Sequence, residues 1–285
     1  MRIPRRRDCG ELLGFDEIRR RLHLGMPQLQ GEETIPTDHI VGTVGRAADF
    51  DRCFQPRSPR LARRIGEIRR ARPGGMDAPI DVIRVDRAYF VSDGHKRVSI
   101  AREAGQEYID ARVSSAPTRY EVLPSVTSAE IDLTAQEERF RGETGLARAV
   151  PAARFAVSET EGYPELREAL ESYGFELIQR LGRVASREEV AAMWYECVYV
   201  PTVHAAEQAR MTELLRCATE ADLFLALHQQ SRRLWGTECP VGAENLDDLV
   251  SKVRELPIPD QSLIDRLVRR ARSRRAPELL PQRAD

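Results

Sequence analysis

From about residue 33 the apolar positions fall in short runs that switch between a strand-like period of two and a helical period, the pattern of a compact α+β unit. Residues 35–41 read as a strand running into a glycine turn, Gly42-Thr43-Val44-Gly45. Ser58-Pro59 opens a helix to about residue 71, with serine as cap and proline in the first turn, and Pro73-Gly74-Gly75 stops it. Residues 80–85 and 88–92 are β-rich runs separated by Asp86-Arg87. A helix over 94–104 closed by Gly105 and a strand over 108–113 complete the unit.

Beyond Ser114 the period becomes helical. Helices are expected over 129–141, 163–181, 187–209 and 220–235, with Pro201 kinking or breaking the third and Thr219 capping the fourth. Pro257 and Pro259 mark a linker, and a last helix over 261–275 carries Arg266, Arg269, Arg270, Arg272, Arg274 and Arg275. The expected organisation is an arm with a short helix (1–32), an α+β domain (33–116), a mostly α-helical domain (117–256) and a basic helix and tail (257–285). Trp194, Tyr195, Tyr199, Leu223, Phe224 and Leu227 belong to the core of the helical domain, as do His204 and His228. No glycine turn with a second short helix follows 187–194, so a helix-turn-helix is not expected.

Composition narrows the chemistry. The chain has 285 residues, 31% of them charged, with a formal net charge of -1, so global charge nominates neither nucleic acid nor membrane. Positive charge is almost all arginine, Lys96 and Lys252 being the only lysines. Five scattered cysteines lack the spacing of a zinc site, no metal centre is expected, and thiols without pairing fit a reducing, cytoplasmic setting. No apolar run approaches the roughly 20 residues of a membrane span. The basic start, Arg5-Arg6-Arg7, reads as a solvated arm.

The segment richest in chemistry is Tyr89-Phe90-Val91-Ser92-Asp93-Gly94-His95-Lys96-Arg97. A strand passes through glycine into a helix whose first turn is cationic. The N-terminus of a helix presents free N–H groups and about half a positive charge, so cations there oppose the macrodipole unless an anion sits against them. Gly94 would let a phosphate approach the backbone, Arg97 would grip it bidentately and Lys96 would add a point charge; alternatively, both cations lie on a solvated face and Gly94 is only a turn. Arg46 is the next phosphate ligand and Thr43 a hydroxyl donor, or both belong to a plain turn. Asp93 caps the helix, orients His95 or Arg97, or holds Mg²⁺ through water. His95 is a general acid or base or a phosphate donor, or else a surface histidine. Asp49 and Asp51 are further acidic candidates, and Arg60, Arg63 and Arg64 form a basic cluster. A guanidinium at Arg97 locked to a neighbouring carboxylate would undo the phosphate assignment.

These elements, in order, resemble the ParB/sulfiredoxin-like superfamily: the strand, Asp93-Gly94-His95-Lys96-Arg97 and the following Ala101 to Gly105, with Ile35-Pro36-Thr37-Asp38-His39-Ile40, Gly45-Arg46 and Ala78-Pro79-Ile80-Asp81-Val82 upstream. The resemblance covers roughly residues 33–114. It implies a small mixed-sheet domain in which Gly94 and Arg97, with His95 and Lys96 between them, bind nucleotide phosphates, and His95 and Asp93 serve any catalysis. A nucleoside tri- or diphosphate with Mg²⁺ is the implied cofactor. The implied activity is an NTP-dependent switch, an NTP hydrolase or a phosphotransferase; a DNA-associated, partitioning-like protein or nuclease using the arginine-rich helices is the alternative. Sulfiredoxins have a catalytic cysteine where His95 stands, partitioning proteins have Glu-Arg in place of His95-Lys96, and the related free-serine kinases have a glutamate near Gly42-Thr43-Val44-Gly45. Segments 193–201 and 219–224 resemble uncharacterised proteins that join a ParB-like domain to a helical one.

Overall fold

A computed structural model of the chain describes residues 10–71, 78–236, 248–249 and 251–252. The expected basic start, the Pro73-Gly74-Gly75 stop, the proline linker and the helix over 261–275 lie outside the described residues. The chain divides into two compact units between Ile131 and Asp132.

The first unit is a mixed α+β structure. Its elements are β1 (Leu13–Gly14), α1 (Phe15–Arg21), β2 (Gln28–Pro36), a 3-10 turn at Thr37–His39, β3 (Ile40–Thr43), α2 (Pro59–Ala71), β4 (Ile80–Val85), β5 (Ala88–Asp93), α3 (His95–Glu103) and β6 (Tyr108–Ser115). One six-stranded sheet runs in the order β1-β3-β5-β4-β6-β2. β3 and β5 pair in parallel, which demands a crossover, and the stretch carrying α2 and β4 supplies it. β4 and β5 form a hairpin at Asp86, whose φ of 52° a short polar side chain tolerates. Ile35, Ile40, Ile80, Val91, Val98 and Val113 lie in the core beneath this sheet.

Two expectations change. The strand expected from residue 35 begins at Gln28 and stops at Pro36, and a 3-10 turn separates it from β3. Residues 28–34 are mostly polar, as suits an outer strand; pairing with β6 from Gln28↔Ser115 to Pro36↔Tyr108 overrides their weak strand preference. Residues 117–131, placed with the helical part by the sequence, go with the sheet. Tyr120, Val122 and Val126 are buried, Val122 N–H donates to Asp86 Oδ2 at 3.0 Å, and Arg52 Nη2 donates to the Pro124 carbonyl at 2.9 Å.

The second unit is helical. α4 (Ser128–Thr144) leads into α5 (Leu146–Ala149), α6 (Gly162–Leu181), α7 (Arg187–Trp194), a π turn (Tyr195–Tyr199), α8 (Val200–Gln208), α9 (Met211–Leu215) and α10 (Glu220–Trp235). Pro201 does not break the third expected helix. Proline lacks an N–H and its ring strikes the carbonyl four residues back; the π turn just before it widens the helix and lets the chain continue to Gln208. Thr219 caps α10 by accepting from Asp222 N–H at 3.1 Å. Trp194, Tyr199, Phe224 and Phe155 form the aromatic centre, with Phe155 and Tyr199 ring centroids 5.0 Å apart. His228 is buried and stacked on Phe224, whereas His204, expected in the core, is exposed on α8.

Among the described residues no helix is long and apolar enough to cross a membrane. Cys197 and Cys217 are free and Cys53 is disulfide-bonded, so the scattered-thiol expectation does not hold at Cys53.

Gly42 in β3 tests the packing. A Cβ there would lie 2.2 Å from Phe90 Cδ1 and 2.6 Å from the Leu13 carbonyl oxygen, so Gly42→Ala should cost about 3 kcal/mol in urea unfolding. Gly66→Ala in α2, where the Cβ meets nothing within 4 Å, should be neutral or stabilise by up to ~1 kcal/mol.

Candidate functional site

The site is built at the turn from β5 into α3. Gly94 sits there with φ 100°, and a Cβ on it would lie 2.5 Å from Ile80 Cγ2 and 2.9 Å from Ile80 Cβ. Glycine is therefore required twice, by conformation and by the approach of β4. The space a Cβ would take at Gly94 is filled by Ile80.

His95, the first residue of α3, turns into the core. It is 5% exposed, stacked on Phe50 with ring centroids 6.0 Å apart and flanked by Phe54 at 6.3 Å. Its Nε2 lies 2.5 Å from Thr43 Oγ1, and Thr43 is 0% exposed. Burial, and then Arg46, push the imidazole down from 6.5 to about 4, against the opposing effects of Asp93, Asp49 and the Val91 backbone. The ring is neutral at pH 7 and shares a hydrogen bond with the Thr43 hydroxyl through Nε2. Thr43 thus serves a histidine where a phosphate was expected, and His95 is a strut between β3 and α3 where a catalytic or surface histidine was expected. Phe50 and Phe54 belong to the segment over 44–58, which also carries Arg46.

Arg97 is locked. Its Nη1 donates to the carbonyls of Ala78 at 2.5 Å and Pro79 at 2.6 Å, and its Nη2 donates to Asp93 Oδ2 at 2.8 Å, with the side chain 16% exposed. This is the arrangement that removes Arg97 as the principal phosphate ligand: two bonds tie the start of α3 to the lead into β4 and a third ties it to the end of β5. Asp93 is the orienting partner of Arg97. The cap position is Gly94, which offers α3 no side-chain bond, so the first-turn N–H groups have no side-chain cap.

Lys96 remains, between the buried His95 and the clamped Arg97. It is half-buried on α3 and has no hydrogen bond or ion-pair partner among the described residues. Burial first, then Arg64 on α2 and Arg46 on the glycine turn, push its amine below the ordinary lysine value, and Asp93 opposes them. Arg64, exposed, also has no partner among the described residues, and Arg46 pairs only loosely with Asp49, at 3.7 Å and with both groups about half exposed. α2 lies against α3 through Arg69 and Glu103, 2.6 Å apart. Five residues earlier on α2 and seven earlier on α3 stand Arg64 and Lys96, roughly 8 and 10 Å back along the two axes at 1.5 Å per residue. Arg64 and Arg46 thus bear on the Lys96 amine, with Asp93 and Asp49 as the nearby counter-charges. Asp51 is used locally, accepting from Gln55 N–H at 2.8 Å, and no group of three metal-ligating side chains occurs among the described residues.

Two residues that matter here carry little signal in the sequence. Arg64 reads as one cation of a solvated cluster. Arg102 reads as an ordinary cation in the last turn of a helix, yet it donates to the carbonyls of Thr37, Ile40 and Arg52 and lies over the Phe54 ring at 5.2 Å, pinning the segment that holds Arg46.

No family model and no curated protein matches the chain.

The buried histidine sets a pH dependence. Its folded pKa lies below its unfolded value, so between pH 6.5 and about 4 the unfolded chain binds the proton more readily and stability falls as pH falls. Urea unfolding should show the stability advantage of the native protein over His95→Gln shrinking by roughly 3 kcal/mol from pH 7 to pH 4. A constant advantage would mean the ring is not held neutral.

Proposed function

We propose that the first unit binds a phosphorylated ligand, a nucleoside di- or triphosphate with Mg²⁺, against Lys96, Arg46 and Arg64. The observation that carries this is that Lys96 and Arg64 have no partner among the described residues, while Arg64 and Arg46 both press the Lys96 amine down. Like charges held together cost free energy, and a polyanion relieves that cost while gaining charge-assisted hydrogen bonds. The macrodipole of α3 acts in the same direction, since its uncapped N-terminus favours negative charge. The resemblance of Asp93-Gly94-His95-Lys96-Arg97 to the ParB/sulfiredoxin-like motif points to the same ligand class, and the mixed sheet is compatible with it.

Within this reading the work divides differently from the motif's implication. Lys96, Arg46 and Arg64 contact phosphate; His95 and Thr43 hold the wall; Gly94, Arg97 and Asp93 hold the turn. Binding, as in a nucleotide-gated switch, is therefore the activity proposed. Hydrolysis or phosphotransfer would need a base that reaches the ligand, and His95 is buried between Thr43, Phe50 and Phe54. The alternative of DNA association rests on the basic cluster Arg60, Arg63 and Arg64 of α2 and on the helix over 261–275, which lies outside the described residues.

Calorimetric titration with ATP, CTP and pyrophosphate in Mg²⁺ should give binding that Lys96→Gln and Arg64→Gln each weaken roughly tenfold or more, the loss of a charge-assisted bond of about 1.5 to 3 kcal/mol. Arg97→Ala should instead lower the melting temperature of the ligand-free protein, because its bonds are internal. Equal affinity for native protein and Lys96→Gln would reject the assignment.

A further inference from the structure

Asp51-Arg52-Cys53 runs beside the first described residues of the chain. Glu11 and Asp51 form an antiparallel bridge, and Arg52 N–H donates to the Gly10 carbonyl at 3.3 Å. Antiparallel chains step in opposite directions, so the register that sets 11 against 51 and 10 beside 52 arrives next at positions 9 and 53. Opposed positions in such a pair have Cα atoms about 4.5 to 5.5 Å apart, inside the range that a disulfide spans. Cys53 is disulfide-bonded while Cys197 and Cys217 are free, which leaves Cys9 and Cys239 among the five cysteines as sources of the second sulfur. We infer that Cys53 is joined to Cys9 and that this cross-strand bond is a redox site, opened by dithiols, whose opening loosens the Phe50 and Phe54 wall over His95.

The bond closes a long loop at a weakly paired edge of the sheet. β1 there is two residues long and pairs only Leu13 with Gly42 and Gly14 with Thr43. On the other side of the bond, Phe54 is buried with a φ of 57°, its N–H donating to the Asp51 carbonyl at 2.9 Å and its ring beside His95, centroids 6.3 Å apart. A left-handed backbone is strained at phenylalanine and persists where neighbours enforce it. The covalent bond on the adjoining residue is one such restraint, and Arg102 over the ring is another. Cys53 is only half-buried, and disulfides outside the sealed core are the ones that exchange. In the reaction a thiolate of the dithiol attacks one sulfur of the pair, the S–S bond breaks, and the other cysteine leaves as a thiolate and takes up a proton. The second thiol of the reagent then displaces the remaining cysteine. The reagent closes as a cyclic disulfide, and the protein gains two electrons and two protons.

The full chain is purified without reductant, its free thiols are blocked with iodoacetamide, and it is digested for peptide mass spectrometry. The peptide holding Cys53 should be found linked to the one holding Cys9, and dithiothreitol before blocking should turn the pair into two alkylated peptides. Cys53 alkylated without reductant, or linked to Cys239, would overturn the pairing. Hydrogen exchange of the native chain then reads the consequence: dithiothreitol should speed exchange in the peptide over 50–57 roughly tenfold or more while β4 and β5 stay protected, and oxidised glutathione should restore the slow rate. Cys9→Ser should show the fast rate without reductant, and where that variant fails to fold the native chain in dithiothreitol carries the comparison. Exchange over 50–57 that is the same with and without dithiothreitol, once the bond is shown to be open, would overturn the redox role.

Discussion

The left-handed turn at Gly94 is the constraint on which the site depends. β5 must end and α3 begin within one residue while Ile80 of the neighbouring strand presses against the bend, and a residue without Cβ satisfies both demands. The turn then sends three successive side chains in three directions. His95 goes inward to Thr43, Arg97 goes sideways to the carbonyls of Ala78 and Pro79, and Lys96 is left outward. A rigid helix start with one unengaged amine follows from the backbone before any ligand is considered.

Charge around that amine is arranged against the stability of the free protein. Cations in a helix's first turn oppose the macrodipole, and α3 has no side-chain cap to soften the conflict. Arg97 escapes it by finding Asp93 and two carbonyls. Lys96 does not, and Arg46 and Arg64 add to the opposition. The surrounding structure holds this tension in place: Arg102 ties three carbonyls to one guanidinium, and Phe50 and Phe54 stack on His95, so the segment bearing Arg46 is fixed. Unrelieved positive charge on a rigid frame is what a phosphate-binding surface requires.

Much of the frame was legible in the sequence because it is local. The hairpin at Asp86-Arg87, the cap at Thr219 and the aromatic centre around Trp194 and Phe224 follow from turn chemistry, capping and apolar spacing. What was not legible depends on partners distant in the chain. β2 reads as polar until β6 pairs with it, and Pro201 reads as a break until a π turn absorbs it. The turn from strand through glycine into helix was legible, but the directions its side chains take were not. Nothing local says that Gly94 meets Ile80, that His95 meets Thr43 across 52 positions, or that Arg97 turns to residues 18 and 19 positions earlier. Arg64 acquires its importance only when α2 is laid against α3.

Whether Lys96, Arg46 and Arg64 form an anion site is tested most directly by locating the ligand. Backbone amide chemical shifts followed by NMR during titration with pyrophosphate should move most at His95, Lys96, Gly45 and Arg46 and at the turn of α2 holding Arg64, with the remaining strands of the sheet little changed. Saturable shifts centred elsewhere in the chain, or none at these residues, would contradict it.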